Sequence, residues 1–123
     1  MLTIAGTIQG GKKRGRRLGF PTINISVPRS VAAADWGIYF SLTRIDGLWY
    51  PGVTHLGPPK TFSIRNATCE TYLLTLTGDL YGKKITKKLI FKLREVERFP
   101  TVAALKQRIK KDVIAAKKFF GLK

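Results

Sequence analysis

The stretch WGIYFSLTRIDGLWYPGVTHL, Trp36 to Leu56, decides the fold class. Trp36 to Ile45 and Leu48 to Leu56 are rich in aromatic and β-branched residues, the side chains that suit a pleated, half-buried surface. Between them stands Asp46-Gly47, a dipeptide that tolerates the positive φ angles of a type I′ turn. The two runs are therefore expected to form an antiparallel hairpin.

Working outward, Leu2, Ile4, Gly6 and Ile8 alternate with Thr3, Ala5 and Thr7, the period of a strand with one buried face, and the run ends at Gly10-Gly11. Ile23, Ile25 and Val27 alternate in the same way, with Pro28 closing the run. Downstream, Thr68 to Leu76 and Ile85 to Leu93 read as a second antiparallel pair joined through Gly78-Asp79 and Gly82, with Ile85, Lys87, Leu89, Phe91 and Leu93 on one face. From Val102 the period changes: Val102, Leu105, Ile109, Val113, Ala116 and Phe120 recur at steps of three and four, the stripe of an amphipathic helix. Thr101 fits its N-cap and Gly121 its C′ position. Six short strands and one helix predict an all-β fold, a six-stranded antiparallel closed barrel with a C-terminal α-helix, because closure removes unpaired strand edges. Residues 1–123 read as one domain, without repeat or linker.

A composition of 44% hydrophobic and 24% charged residues is that of a folding chain. With 23 Lys and Arg against 7 Asp and Glu, the formal charge is +16, which attracts nucleotides, nucleic acids or acidic lipid headgroups. Five cations fall in Lys12-Lys13-Arg14-Gly15-Arg16-Arg17, a segment with no apolar side chain to pack and so expected as a surface loop. The pairs Lys83-Lys84 and Lys87-Lys88 and the lysines of the last helix read most simply as solvated faces, and could equally bind nucleic acid. No apolar run approaches the roughly 20 residues of a spanning helix, and Met1 to Gly6 lacks the build of a signal peptide, so no membrane partner and a cytoplasmic location are expected. Cys69 and His55 form no zinc-ligand spacing, and both read as structural.

Gly6-Thr7-Ile8-Gln9-Gly10-Gly11-Lys12 nearly spells a Walker phosphate loop, but Lys13 stands where a hydroxyl must follow and no helix begins there. Thr22 and Asn24, two apart on a strand, point to the same side and offer a hydroxyl and an amide oxygen. Such a pair can hold magnesium while leaving it charge enough to bind triphosphate oxygens; the spacing equally allows ordinary solvent-facing side chains. Glu70 is the single acid of its strand and shares a face with Tyr72, Leu74 and Leu76, surroundings that disfavour a carboxylate and favour a general base. An edge glutamate paired with a cation is the plainer alternative.

In order along the chain, the sequence resembles the ATP-dependent riboflavin kinase family. The resemblance rests on Arg14-Gly15, on Leu18 to Asn24 with its P-T-x-N signature, on Gly37-Ile38-Tyr39, and on Tyr50-Pro51-Gly52-Val53. It continues through Leu56-Gly57, Thr61-Phe62, Glu70-Thr71, Gly78 to Lys83, Leu93-Arg94 with Phe99, and Asp112. It implies a six-stranded barrel with a C-terminal helix, and transfer of the ATP γ-phosphate to the ribityl 5′-hydroxyl of riboflavin, giving FMN and ADP. By the same resemblance Thr22 and Asn24 would hold Mg2+, and Glu70 would take the hydroxyl proton. Gly10, Lys12, Gly15, Arg16, Thr22, Leu80 and Tyr81 would meet ATP, with residues 10–17 as a basic flap, and Arg94 and Phe99 would meet the flavin.

Lys60 stands where that family usually has proline, and Tyr72 where histidine is common. Family members commonly carry an adenylyltransferase domain that makes FAD; with Met1 directly before the first strand, that second step is not expected of this chain. A monomer is the expected state. The rival readings are a basic β-barrel that binds nucleic acid, favoured by the charge and by Trp36, Tyr39, Phe40 and Trp49, and a relative that binds flavin without turnover.

Overall fold

A computed structural model describes residues 1–10, 22–58 and 67–123. Its elements are β1 (Leu2–Thr7), β2 (Thr22–Ser26), a short 3-10 turn (Ala33–Asp35), β3 (Gly37–Ile45), β4 (Leu48–Gly57), β5 (Thr68–Leu73), β6 (Lys84–Arg94) and α1 (Val102–Phe119). The hairpin forms where the sequence places it. Asp46 at φ 50° and Gly47 at φ 84° both lie in the left-handed region, as a type I′ turn demands, and Ile45 faces Leu48 across it.

All pairings are antiparallel, in the order β1-β6-β3-β4-β5-β2. The expected pairing of β5 with β6 is not observed. β5 lies between β4 and β2, and β6 fills the slot between β3 and β1. The segment 74–83 carries the chain across: it runs past the end of β1, where Gly82 N–H donates to Ile8 O and Ile8 N–H to Lys83 O, and so delivers β6 to β1.

The sheet curls toward closure but is not zipped shut. Among the described residues β1 and β2 share no ladder; they approach through Gln9 N–H donating to Asn24 O at 2.8 Å and through Ile25 packed against Gly6. Instead of the closed barrel expected from the strand count, the six strands form a curled half-barrel, since the outermost strands are short and their edges meet only at one end.

The alternation of side chains sends two apolar sets to opposite faces. Ile4, Ile23, Ile25, Leu56, Cys69, Ile85 and Leu89 fill the concave interior, while Ile38, Phe40, Val53 and Tyr72 face outward beneath Ile109, Val113 and Ala116 of α1. The helix has the caps its sequence promises: Ala104 N–H donates to Thr101 Oγ1, and Gly121 and Leu122 N–H close on Lys118 and Lys117 carbonyls.

Two readings of β6 change. The register skips Ile90 between Phe40↔Phe91 and Ser41↔Leu89, so the bulge turns Phe91 from the face of Leu89 to the outer face, where it stacks on Phe40 at 5.7 Å. Lys87, expected in solvent, is 1% exposed inside the barrel and donates to Thr43 Oγ1 at 2.6 Å. Beside it Ser41, Thr54 and Thr71 hydroxyls form a chain with 2.7 Å links, so the interior is polar along one side.

Candidate active site

The site forms on the outer face of the sheet. Register alone brings the sequence candidates together, because Asn24 stands opposite Glu70 and Thr22 opposite Tyr72, and Glu70 in turn stands opposite His55 of β4. These side chains alternate with inward Ile23, Ile25, Cys69 and Thr71, so they share one surface. Glu70 is 5% exposed and accepts a 3.1 Å hydrogen bond from the Tyr72 hydroxyl. Burial, and then the Glu70 charge and that hydrogen bond, push the Tyr72 phenol well above the usual tyrosine range, so it is a hydrogen-bond donor to the carboxylate throughout the working pH range.

Helix α1 and the segment leading into it roof this surface. Between roof and sheet lies a cavity of about 450 Å³, with Glu70, Tyr72 and His55 on its floor and Phe99, Leu105 and Ile109 among its walls. Its mixture of a mostly apolar lining and a few polar groups suits a small molecule with an apolar body and a polar end. At the rim Arg94 grips Asp112 of α1 through two hydrogen bonds, Nη2 to Oδ2 at 2.7 Å and Nε to Oδ1 at 3.2 Å. Its guanidinium lies 5.9 Å from the Phe99 ring centroid. Arg94 and Phe99, expected at the flavin, thus do line one cavity with Glu70.

On the other side of β2, Gln9 binds the Asn24 carbonyl and Gly10 follows it. Tyr81 lies so close to Gly10 that a Cβ there would come within 2.7 Å of its ring, so a larger residue would push Tyr81 aside. Leu80 packs against the barrel interior while Tyr81 stays exposed. Gly10, Leu80 and Tyr81 are therefore neighbours of one another, next to the Thr22 and Asn24 edge. Lys12, Gly15 and Arg16, together with Lys60, Thr61 and Phe62, lie outside the described residues.

Thr22 and Asn24 fit a magnesium ion by the chemistry of their donors, two neutral hard oxygens on a half-buried edge. Among the described residues no three His, Cys, Asp or Glu side chains converge, so a cation held here would take most of its ligands from phosphate and water.

Two groups of the site escape a reading of the residues one at a time. His55 meets Glu70 only through the β4–β5 register. Asp112 is the partner of Arg94, and its signal was an acid placed on the apolar stripe between Ile109 and Val113; such a buried acid on a helix calls for a cation on the element it packs against.

Fold and site together define a curled antiparallel sheet with a small-molecule cavity between its outer face and a terminal helix. The family pattern described as riboflavin kinase matches residues 1–120, and the chain belongs to that family. It is 37% identical over 123 residues to the RNA-binding riboflavin kinase RibR of Bacillus subtilis, covering 99% of this chain and 53% of that one. It is 39% identical over 115 residues to the bifunctional riboflavin kinase/FMN adenylyltransferase of Pseudomonas fluorescens, covering 93% and 37%. The chain thus spans about half or less of these curated relatives.

Among solved structures, the riboflavin kinase of Trypanosoma brucei superposes with a TM-score of 0.64 at 22% identity, covering 97% of this chain and 79% of that one. A Streptococcus pneumoniae protein described as a macrolide-efflux protein gives a TM-score of 0.81 at 24% identity, covering 94% and 38%. At such identities the likeness is one of fold. No helix among the described residues is long and apolar enough to cross a membrane.

Proposed function

We propose that this chain transfers the γ-phosphate of ATP to the 5′-hydroxyl of riboflavin, giving FMN and ADP. The observation that carries the reading is the cross-strand pair Asn24 and Glu70 on the face that floors the cavity. In this reading isoalloxazine occupies the apolar part of the cavity between Phe99 and the helix, which points the ribityl chain toward Glu70. The Glu70 carboxylate accepts the 5′-hydroxyl proton as the O–P bond forms, and the bond from the γ-phosphorus to the bridging oxygen of ADP breaks. Tyr72 holds the carboxylate by its hydroxyl, fixing which oxygen faces substrate.

Thr22 and Asn24 would hold magnesium, which when bound with ATP neutralises phosphate charge. Gly10, Leu80 and Tyr81 would border the nucleotide, and the cations Lys12, Arg16 and their neighbours would supply positive charge around the transferring group. Chromatography of riboflavin, ATP and magnesium incubated with the protein tests the reading. FMN and ADP forming in equal amounts support it. Riboflavin binding without FMN would leave a flavin-binding relative and overturn the phosphotransferase.

A second reading, nucleic acid binding beside the kinase chemistry, is favoured by the charge of +16 and by the B. subtilis relative, whose description joins RNA binding to riboflavin kinase. Anisotropy of a labelled oligonucleotide on addition of the protein tests it.

A further inference from the structure

Helix α1 covers only part of the outer sheet face. Away from it, on β1, β6, β3 and β4, the register lines up Ala5, Thr86, Arg44 and Trp49 in one row across four strands, with Lys84 and Lys88 in the rows on either side. Ala5, Thr86, Arg44, Lys84 and Lys88 each adjoin buried residues in their strands and so point outward, and Trp49, exposed opposite Arg44, shares their face. The row is three strand spacings of roughly 4.8 Å wide, and its floor is Ala5 and Thr86, side chains too small to obstruct a flat ligand. Trp49 is 38% exposed with Lys88 Nζ 4.6 Å from its ring centroid, and Arg44 is exposed beside it. Next to them a shallow depression of about 640 Å³ is bordered by Arg44, Lys84 and Thr7. The acid at this end, Asp46 of the hairpin turn, is paired with Lys83 at 2.7 Å, which offsets part of the negative charge that would repel a phosphate there.

We infer that this open sheet face is a binding surface for single-stranded nucleic acid, with a base stacked on Trp49 and the phosphates followed by Arg44, Lys84 and Lys88. The inference rests on the second reading above and adds its place and ligand class. An exposed tryptophan among cations on a flat sheet provides both parts of such a surface, a stacking platform and a positive track. Lysines alone would serve an anionic lipid surface as well; the aromatic platform among the cations, with Lys88 over the Trp49 ring, favours a strand with free bases. Trp49, Arg44, Lys84 and Lys88 do not line the riboflavin cavity, so the two surfaces can be tested separately.

The test is fluorescence anisotropy of a labelled oligouridylate titrated with the full chain at several salt concentrations. Binding is expected, with a log–log salt slope of about −0.7 for each phosphate contacted. Trp49→Ala is expected to weaken it by roughly 5- to 150-fold, Trp49→Phe by much less, and Arg44→Gln with Lys88→Gln to lower the salt slope. Lys110→Ala with Lys111→Ala on α1 should change affinity by less than about twofold. Riboflavin phosphorylation by Trp49→Ala should match the unsubstituted chain, which also reports that the variant folds; the Arg44 and Lys88 variants carry the test if it does not.

Native protein that binds no oligonucleotide, or binds phosphatidylserine vesicles instead, overturns the second reading and this inference with it. Oligonucleotide binding that ignores Trp49, Arg44 and Lys88, or falls equally on loss of Lys110 and Lys111, overturns the surface assignment alone.

Discussion

Arg94 at the end of β6 and Asp112 within α1 face each other in a two-point ion pair, with side chains only 12% and 6% exposed, that fastens the helix to the sheet at the rim of the cavity. Arg108, one helical turn before Asp112, reaches the same carboxylate at 3.6 Å and Glu97 at 3.6 Å, so the segment between β6 and α1 is bracketed by charge on both sides. The roof of the site is therefore held by electrostatics at its rim and by apolar packing under the helix.

Breaking one partner of a buried pair leaves the other charge unpaired. Asp112→Ala is expected to lower the unfolding free energy by roughly 3 kcal/mol, measured by urea denaturation, and Asp112→Asn by less because it keeps a hydrogen-bond acceptor. In both, riboflavin KM should rise more than kcat falls, since Arg94 is released from the cavity wall. An unchanged KM in Asp112→Ala would show that the pair plays no part in shaping the cavity.

Glu70→Gln keeps an acceptor for the Tyr72 hydroxyl, so the fold and riboflavin affinity should persist. Loss of the base should reduce phosphorylation by roughly 10² to 10⁴ at saturating substrates. Turnover close to that of the unsubstituted chain would remove Glu70 from its assigned role.

Thr22→Val and Asn24→Leu each delete one of the two oxygens on the edge of β2 proposed to hold magnesium. Each is expected to raise the magnesium concentration needed for half-maximal rate several-fold while leaving riboflavin KM within about twofold. Magnesium titrations that superpose on the unsubstituted chain would count against the pair.

Burial pushes the Lys87 ammonium down to about 8, an effect that the nearby Cys69 partly offsets. The unfolded chain holds this proton up to about pH 10.5, so between about pH 8 and 10.5 it binds more protons than the folded state, and stability gains from Lys87 as pH rises. Below pH 8 the full cost of the buried charge is present, of the order of 3 kcal/mol for a shift of that size. Cys69, pushed up to about 11 chiefly by burial, acts in the opposite sense above pH 9. Comparing the chain with Lys87→Met cancels most of that second effect. The stability of Lys87→Met relative to the unsubstituted chain should fall as pH rises from 7 to 10; a pH-independent difference would mean that folded Lys87 holds its proton as the unfolded chain does, and that burial does not shift it.

What the sequence by itself determined was local. The hairpin at Asp46-Gly47 follows from which residues accept positive φ, and α1 follows from a 3.6-residue stripe with its own caps; both signals lie within a few residues of one another. Thr22, Asn24 and Glu70 could be picked out as donors and acid because side-chain chemistry and a period of two need no partner strand. Tertiary structure alone decided which strands meet. The exchange of β5's expected partner, β6, for β2 is a choice among edges that the connection 74–83 makes in space, and that choice puts Asn24 opposite Glu70. It also decided that Lys87 is enclosed and Phe91 turned outward: the bulged residue at Ile90 reverses the faces that follow until a second irregularity at Leu93, and pairing on both sides of β6 buries a cation that its composition alone would leave in water.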